Sequence, residues 1–156
     1  MGRPIVVVSV LILVISCGFS PQVSAKDEEL GFALGFAAAA GNLEKCKALL
    51  DEGADVNAIW GGSTPLMAAS QKGYTEIVKL LLKKGADPNF QDPMGGKTAL
   101  ILAVEAQNPK LELAKALLDG GAKPNLKDKK GNTAADLAAK ADRKEITKLL
   151  QEYRKK

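Results

Sequence analysis

The sequence contains no histidine, and this absence limits the chemistry open to the protein. Histidine is the usual general base, the usual partner in catalytic triads and the commonest metal ligand. The two cysteines, Cys17 and Cys46, are too few for a zinc site without histidine. No glycine-rich segment has the spacing of a phosphate-binding or dinucleotide-binding loop. We therefore predict that the protein is not an enzyme and binds no metal or cofactor.

Arginine and aromatic residues are also scarce, and Trp60 is the only tryptophan. Residues 123–156 hold eleven basic and five acidic side chains, but the basic residues are mostly lysine without interleaved aromatic residues. This composition argues against nucleic-acid binding. Residues 26–57 hold three basic and seven acidic side chains, so a charge gradient along the molecule can orient a partner. Simple solubility of both ends is the alternative explanation.

The longest apolar run, residues 5–15, is 11 residues long, whereas a membrane-spanning helix needs about 20. Arg3 precedes the run and the small-residue segment Val23-Ser24-Ala25 follows it. This order predicts a signal peptide over residues 1–25 and export to the periplasm as residues 26–156. Alternatively, Val14-Ile15-Ser16-Cys17 resembles a bacterial lipobox, in which case Cys17 carries a lipid anchor. Cleavage after Ala25 leaves Cys46 without a disulfide partner, so we expect it to be a small core residue.

Two landmarks recur along the rest of the chain. The first is a Leu-Leu pair followed by Gly-Ala and, three residues after that alanine, by Asn, in residues 49–57, 81–89 and 117–125. The second is a threonine before small or apolar residues, at Thr64, Thr98 and Thr133. Their spacings, 32 and 36 residues for the glycines and 34 and 35 for the threonines, indicate an internal structural repeat.

Each repeat reads as two short helices joined by a turn. Thr64 is a good N-cap residue, and Pro65 suits the first helical position because its missing N–H costs nothing there. Gly73 ends this helix, residues 77–82 give a second helix a broad apolar face, and Gly85 ends that helix in a left-handed conformation. Such a unit cannot bury its apolar face alone, so we expect the units to stack.

The two landmarks resemble the T-P-L-H-x-A and L-L-x-x-G-A-x-x-N motifs of the ankyrin-repeat family. The resemblance implies an all-α solenoid of four helix-turn-helix units, over about residues 28–57, 58–89, 90–125 and 126–153. The first unit lacks the Thr-Pro start, and we expect Phe32, Leu34 and Phe36 to close the core there. The position that is usually histidine holds Gly35, Met67, Ile101 and Asp136, so the usual polar network at the helix start must differ.

The resemblance implies that the protein binds another protein through its turns and through the exposed side of each first helix. Transferred to this sequence, these positions predict partner contacts at Trp60, Gln71, Lys72, Phe90, Met94, Lys97, Glu105, Lys129 and Lys130. Trp60 is the sharpest of them because it falls in a turn, where a polar residue is usual. It either contacts the partner, as aromatic anchors do, or folds back onto the molecule.

Small exported bacterial ankyrin proteins resemble one another in being single binding units. By that analogy the protein is a monomer when free and an inhibitor or immunity protein that blocks a periplasmic hydrolase, such as a cell-wall peptidase. One alternative is a lipid-anchored structural envelope protein that binds anionic polymer through its lysine-rich end. Another is a helper protein in oxidative stress defence.

Overall fold

The computed structural model describes residues 24–155 of the protein, and within them the chain forms helices and turns without a β-strand. Cys17 and residues 1–23 of the predicted signal peptide lie outside these residues. No helix in the described part is long and apolar enough to cross a membrane. The predicted all-α fold is confirmed, with these elements: α1 Ala25–Ala40, α2 Leu43–Asp51, α3 Pro65–Lys72, α4 Thr75–Lys83, α5 Ala99–Glu105, α6 Leu111–Asp119, α7 Ala134–Lys140 and α8 Lys144–Tyr153.

The helices form four antiparallel pairs stacked in one direction. The first helices of the pairs, α1, α3, α5 and α7, pack on one another in order, and the second helices, α2, α4, α6 and α8, form a parallel outer row. The structure therefore has the predicted solenoid of four helix pairs. The side formed by the first helices and the turns that precede them is called the inner surface below.

Threonine caps begin three of the first helices. Thr64, Thr98 and Thr133 each accept, at 3.3 Å, a hydrogen bond from the backbone N–H three residues later. Pro65 takes the first helical position of α3, as predicted. In α7 Asp136 completes a capping box, because it accepts from the Thr133 hydroxyl at 2.7 Å and from the Thr133 N–H at 2.8 Å. The residue at the usual histidine position thus serves as a helix cap.

The core is aliphatic and contains Cys46, whose side chain is fully buried as predicted. Burial raises the pKa of the Cys46 thiol, so the group is protonated and behaves as a small apolar side chain. Leu34 is also fully buried, but the prediction that Phe32 and Phe36 close the core is wrong, since they are 44% and 57% exposed. The buried positions of α1 are held by leucine, glycine and alanine. Neither phenylalanine is among them, so both side chains face outward.

A recurring asparagine holds the first unit to the second and the second to the third. The Asn57 side chain accepts from the N–H of Asp87 at 2.8 Å and donates to the carbonyl of Gly85 at 3.3 Å. Asn89 repeats both bonds one unit later, with Lys123 at 2.8 Å and Gly121 at 3.0 Å. The asparagine of the Leu-Leu motif is therefore an inter-unit clamp, and it keeps the turns in a fixed register.

Candidate binding surface

The turn before α3 is a tight two-residue hairpin. Trp60 and Ser63 exchange two backbone hydrogen bonds, of 2.8 and 2.9 Å, around Gly61 and Gly62. Both glycines have positive φ, +56° and +80°, as a type I′ turn requires. Because most other residues are strained at these angles, the Gly61-Gly62 pair is what makes this short turn possible.

The other two turns are longer and depend on an aspartate. Asp92 N–H donates to the carbonyl of Lys97 at 3.0 Å, and Asp128 N–H to that of Asn132 at 2.9 Å. The carboxylates of Asp92 and Asp128 accept bonds from the backbone N–H groups that these loops leave unpaired, which lowers the pKa of Asp128. Trp60 occupies the position of Asp92 and Asp128, because its N–H likewise donates to the last residue of its turn. The two-residue turn closes through the two backbone hydrogen bonds between Trp60 and Ser63, and an aromatic side chain stands where the longer turns have an aspartate.

Trp60 packs back on α1 and is half-buried. Its ring lies 4.4 Å from the ring of Phe36, centroid to centroid, at an angle of 45°. The Trp60 ring lies over Gly35, where a Cβ would be in ordinary van der Waals contact with Cε3 of Trp60, at 3.5 Å. One helical turn earlier, a Cβ on Gly31 would lie only 2.6 Å from Cβ of Ala58. The turn therefore rests on a glycine stripe of α1.

Apolar side chains are exposed around this contact. Phe36 touches Trp60, Phe32 lies one helical turn before Phe36, and Ile59, next to Trp60 in the chain, is 58% exposed. We call these four residues, Phe32, Phe36, Ile59 and Trp60, the apolar patch. Sequence reasoning found Trp60 but placed the two phenylalanines in the core. The available signal was their position directly after Gly31 and Gly35.

Four of the predicted contact residues come together between α3 and α5. Gln71, Lys72, Lys97 and Glu105 line a groove of about 470 Å³ on the inner surface. Within it, Lys97 Nζ lies 2.6 Å from Glu105 Oε2, and both side chains are about one-third exposed. The sequence register thus identified neighbours correctly, although nothing in it indicated that Lys97 and Glu105 form an ion pair.

The remaining predicted residues lie in the segments before α5 and α7. Phe90 is half-buried and packs against the core, so most of its surface serves the fold. Met94 is 85% exposed in the turn before α5. Lys129 and Lys130 are exposed in the turn before α7, where the amine of Lys129 donates to the carbonyl of Pro93.

The turns are held against one another. A Cβ on Gly62 would lie 3.3 Å from Pro93 in the next turn, and the N–H of Lys129 donates to the carbonyl of Gly95 at 2.8 Å. Turns that support each other in this way need little further ordering when a partner binds. Such preorganisation lowers the entropic cost of association.

The architecture defines a class of protein before any comparison is made: a helical-repeat solenoid that presents a rigid row of turns. Groups of His, Cys, Asp or Glu that could hold a metal ion are absent from the described residues. The family described as ankyrin repeats (3 copies) matches residues 7–92 and 87–156. The chain belongs to the ankyrin-repeat family, whose repeats are generally protein–protein interaction modules rather than catalytic domains.

Similar segments occur in proteins of diverse kinds. The mitochondrial disaggregase of Bos taurus is 44% identical over 81 residues, which is 51% of this chain and 11% of that protein. Ankyrin repeat and SAM domain-containing protein 6 of Rattus norvegicus is 43% identical over 73 residues, 46% of this chain and 8% of that protein. Zygote-specific protein 3 of Chlamydomonas reinhardtii is 52% identical over 48 residues, 31% of this chain and 13% of that protein.

The chain thus spans about a tenth of the length of the relatives that it matches. The shared segments correspond to repeat units, so the similarity carries over the repeat and its role as a protein-interaction module. The activities of the whole relatives do not follow from it.

Proposed function

We propose that the protein is an exported inhibitor or immunity protein, which uses the apolar patch to bind and block a periplasmic hydrolase such as a cell-wall peptidase. The observation that carries the proposal is the half-buried Trp60, whose ring contacts that of Phe36 at the N-terminal end of the inner surface. Export rests on the predicted signal peptide, and the inhibitory role rests on analogy with other small exported ankyrin proteins.

Binding energy at protein interfaces is concentrated in a small number of residues. A few buried aromatic residues supply most of the affinity of typical interfaces, and truncating one costs about 2 kcal/mol or more. The exposed large apolar side chains of the described residues are Phe32, Phe36, Ile59, Met94 and Leu111, and only Leu111 lies on the outer row. Exposed apolar groups gathered on one side of a molecule are typical of an interaction surface.

A hydrolase cleft suits this surface because a rigid turn that carries an aromatic ring can enter a concave site. The partner's cleft would enclose the exposed edge of Trp60, while the groove around the Lys97–Glu105 pair would set the orientation. Occupying the cleft excludes substrate, so binding and inhibition go together.

The experiment begins with a pull-down from envelope extract by the full-length chain, followed by a binding titration with the stoichiometric partner. Trp60→Ala should weaken binding about tenfold or more. Leu111→Ala removes an exposed apolar side chain from the outer row and serves as the matched control, which should bind like the wild type. Equal affinity of the Trp60 variant, or a partner that retains full activity when bound, would rule out the proposed role.

The proposed localisation needs its own measurement. Mass spectrometry of the protein from envelope fractions should show a chain that starts at Lys26. An acylated Cys17 would instead support the lipid-anchored structural alternative. Because α1 begins at Ala25 with Ser24 as its cap, the predicted cleavage point falls in the first turn of that helix.

A further inference from the structure

We infer that the segment bound on the inner surface is a stretch of polypeptide with a bulky apolar side chain over α1 and acidic side chains over α7. The inference rests on the proposed function, because it specifies the chemistry of the partner that the same surface takes. Its basis is the unequal distribution of charge between the two ends of that surface.

The N-terminal half of the inner surface carries almost no charge. Residues 30–43 and residues 56–71, which hold most of α1, the turn before α3 and nearly all of α3, contain no charged side chain. The acidic residues of this half lie elsewhere: at the start of α1, on α2 and in the segment after α2. What this half offers a ligand is the apolar patch, which suits a bulky apolar side chain.

The C-terminal half is cationic, because residues 126–140 hold four lysines and only two acidic residues, whose carboxylates are engaged in hydrogen bonds of their own. Asp128 accepts from the backbone N–H groups of its own turn, at 2.8 and 2.9 Å, and Asp136 caps α7 through Thr133. The lysines beside them are exposed. Within the described residues, no carboxylate lies within ion-pair distance of Lys127 or Lys130.

Lys140 extends this cationic region along α7. Its amine lies 2.6 Å from the side-chain oxygen of Asn132, eight residues earlier, and this neutral amide brings no negative charge to it. The equivalent place in the unit before is filled by the Lys97–Glu105 pair, which is internally neutral. Positive charge therefore accumulates from the third unit to the fourth.

Lys127, Lys130 and Lys140 are called the cationic group below. An apolar segment over it would remove water from three lysine charges that form no ion pair within the described residues, at a cost that carboxylates on the ligand avoid. A basic segment would be repelled. An anionic wall polymer could use the cationic group but would gain nothing from the apolar patch. The two features together favour a polypeptide that supplies both kinds of side chain.

The spacing of the helices sets the length of this polypeptide. Three steps of about 9 Å separate the axes of α1 and α7, or roughly 27 Å in all. An extended chain covers that distance in about eight residues, at roughly 3.3 Å each. A segment of twelve residues is therefore long enough to reach from the apolar patch to the cationic group.

The test uses randomised twelve-residue peptides, displayed on phage and selected against the purified full-length chain. We expect enrichment of peptides with Trp, Phe or Leu near one end and two or more Asp or Glu toward the other. The best peptide is then synthesised with a fluorophore, and its affinity is measured by anisotropy at low and high salt. Raising the salt concentration should weaken binding.

Three variants separate the contributions. Trp60→Ser should abolish binding of the peptide. Changing the cationic group to glutamine should weaken binding about tenfold at low salt and flatten the salt dependence. The control changes Lys115, Lys148 and Lys155 to glutamine, which removes the same charge from outside the inner surface and should leave affinity within about twofold.

The outcomes distinguish the two proposals. Peptides that need Trp60 but lack acidic residues, or that respond equally to both lysine variants, would overturn this inference and leave a protein-binding inner surface in place. Acidic peptides that bind independently of Trp60 would also overturn it, in favour of binding to anionic polymer. If selection yields no peptide whose binding depends on Trp60 or on the cationic group, both proposals fail.

Discussion

At the scale of single residues, the Trp60 turn packs on α1 over two glycines one helical turn apart. Gly31 and Gly35 both have helical backbone angles, so alanine at either position would gain about 0.5–1 kcal/mol of helix propensity. They differ in the room available. The ideal Cβ position at Gly35 is in ordinary contact with Trp60, at 3.5 Å, whereas that at Gly31 lies 2.6 Å from Cβ of Ala58.

We therefore predict opposite effects of the same substitution. Gly35→Ala should leave the free energy of unfolding unchanged or raise it by up to about 1 kcal/mol. Gly31→Ala should lower it by roughly 1–2 kcal/mol. The Cβ of Ala58 is attached directly to the backbone, so it can move away only if the whole turn shifts. Urea unfolding followed by circular dichroism measures both, and the Trp60 emission maximum should shift in Gly31→Ala only. Equal stability of the two variants would contradict the close contact.

At the scale of elements, the asparagine clamps hold neighbouring units in register. Asn89 bonds two backbone groups of the following unit, the Gly121 carbonyl and the Lys123 N–H. Asn125 occupies the same place in the motif, but its side chain makes no hydrogen bond with the described residues of the fourth unit. The repeat thus provides a matched pair, with one asparagine that bridges two units and one that does not.

Asn89→Ala should lower the free energy of unfolding by about 1–2 kcal/mol, since each lost hydrogen bond contributes about 0.5–1.5 kcal/mol. Asn125→Ala should change it by less than about 0.5 kcal/mol. Chemical denaturation of both variants is sufficient to measure the difference. If the two substitutions cost the same, the clamp would not be what makes this position matter.

Elements with a recurring landmark could be predicted from sequence, and the first unit shows why the remainder could not. The threonine caps and terminal glycines identify α3 to α7 because each signal is local. Helix α1 lacks the Thr-Pro start and runs for 16 residues, so its register was open. Assigning Phe32 and Phe36 to the core followed from their size alone. Only the packing of a distant turn onto the glycine stripe turns them outward.

The candidate site divides in the same way. Gln71 and Glu105 occupy equivalent positions in the repeat, so the register alone placed them on one groove. The role of Phe90 depended on how far its side chain turns toward the core, which the register does not specify. The setting of Trp60 depended on the length of its turn, since a longer loop would have required an aspartate at that position.

At the scale of the whole molecule, packing joins each helix pair to the next, so the end units have a neighbour on one side only. Solenoids of this kind lose structure from weak ends inward. The fourth unit is the basic end of the chain, with eleven basic and five acidic residues over 123–156. It also contains Asp128 and Asp136, and hydrogen bonds lower the pKa of both carboxyls.

These shifts make the fourth unit sensitive to acid. A carboxyl whose pKa is lower in the folded state stabilises the fold above its unfolded pKa, near 3.9, and the stabilisation is lost as the pH falls through the folded value. Protonation also removes negative charge from the unit with the greatest excess of lysine, so repulsion increases. Below about pH 4, α7 and α8 should therefore unfold before the first two units.

Trp60, the only tryptophan, lies in the second unit and reports on that half alone. In an acid titration we predict that helical circular dichroism falls first, while Trp60 fluorescence changes at lower pH. Asp136→Asn should reduce the early loss, because the amide oxygen can still cap Thr133 without titrating. Coincident transitions in the wild type would show that the four units unfold as one. The separation of the two signals thus measures how weakly the basic end is coupled to the half that carries Trp60.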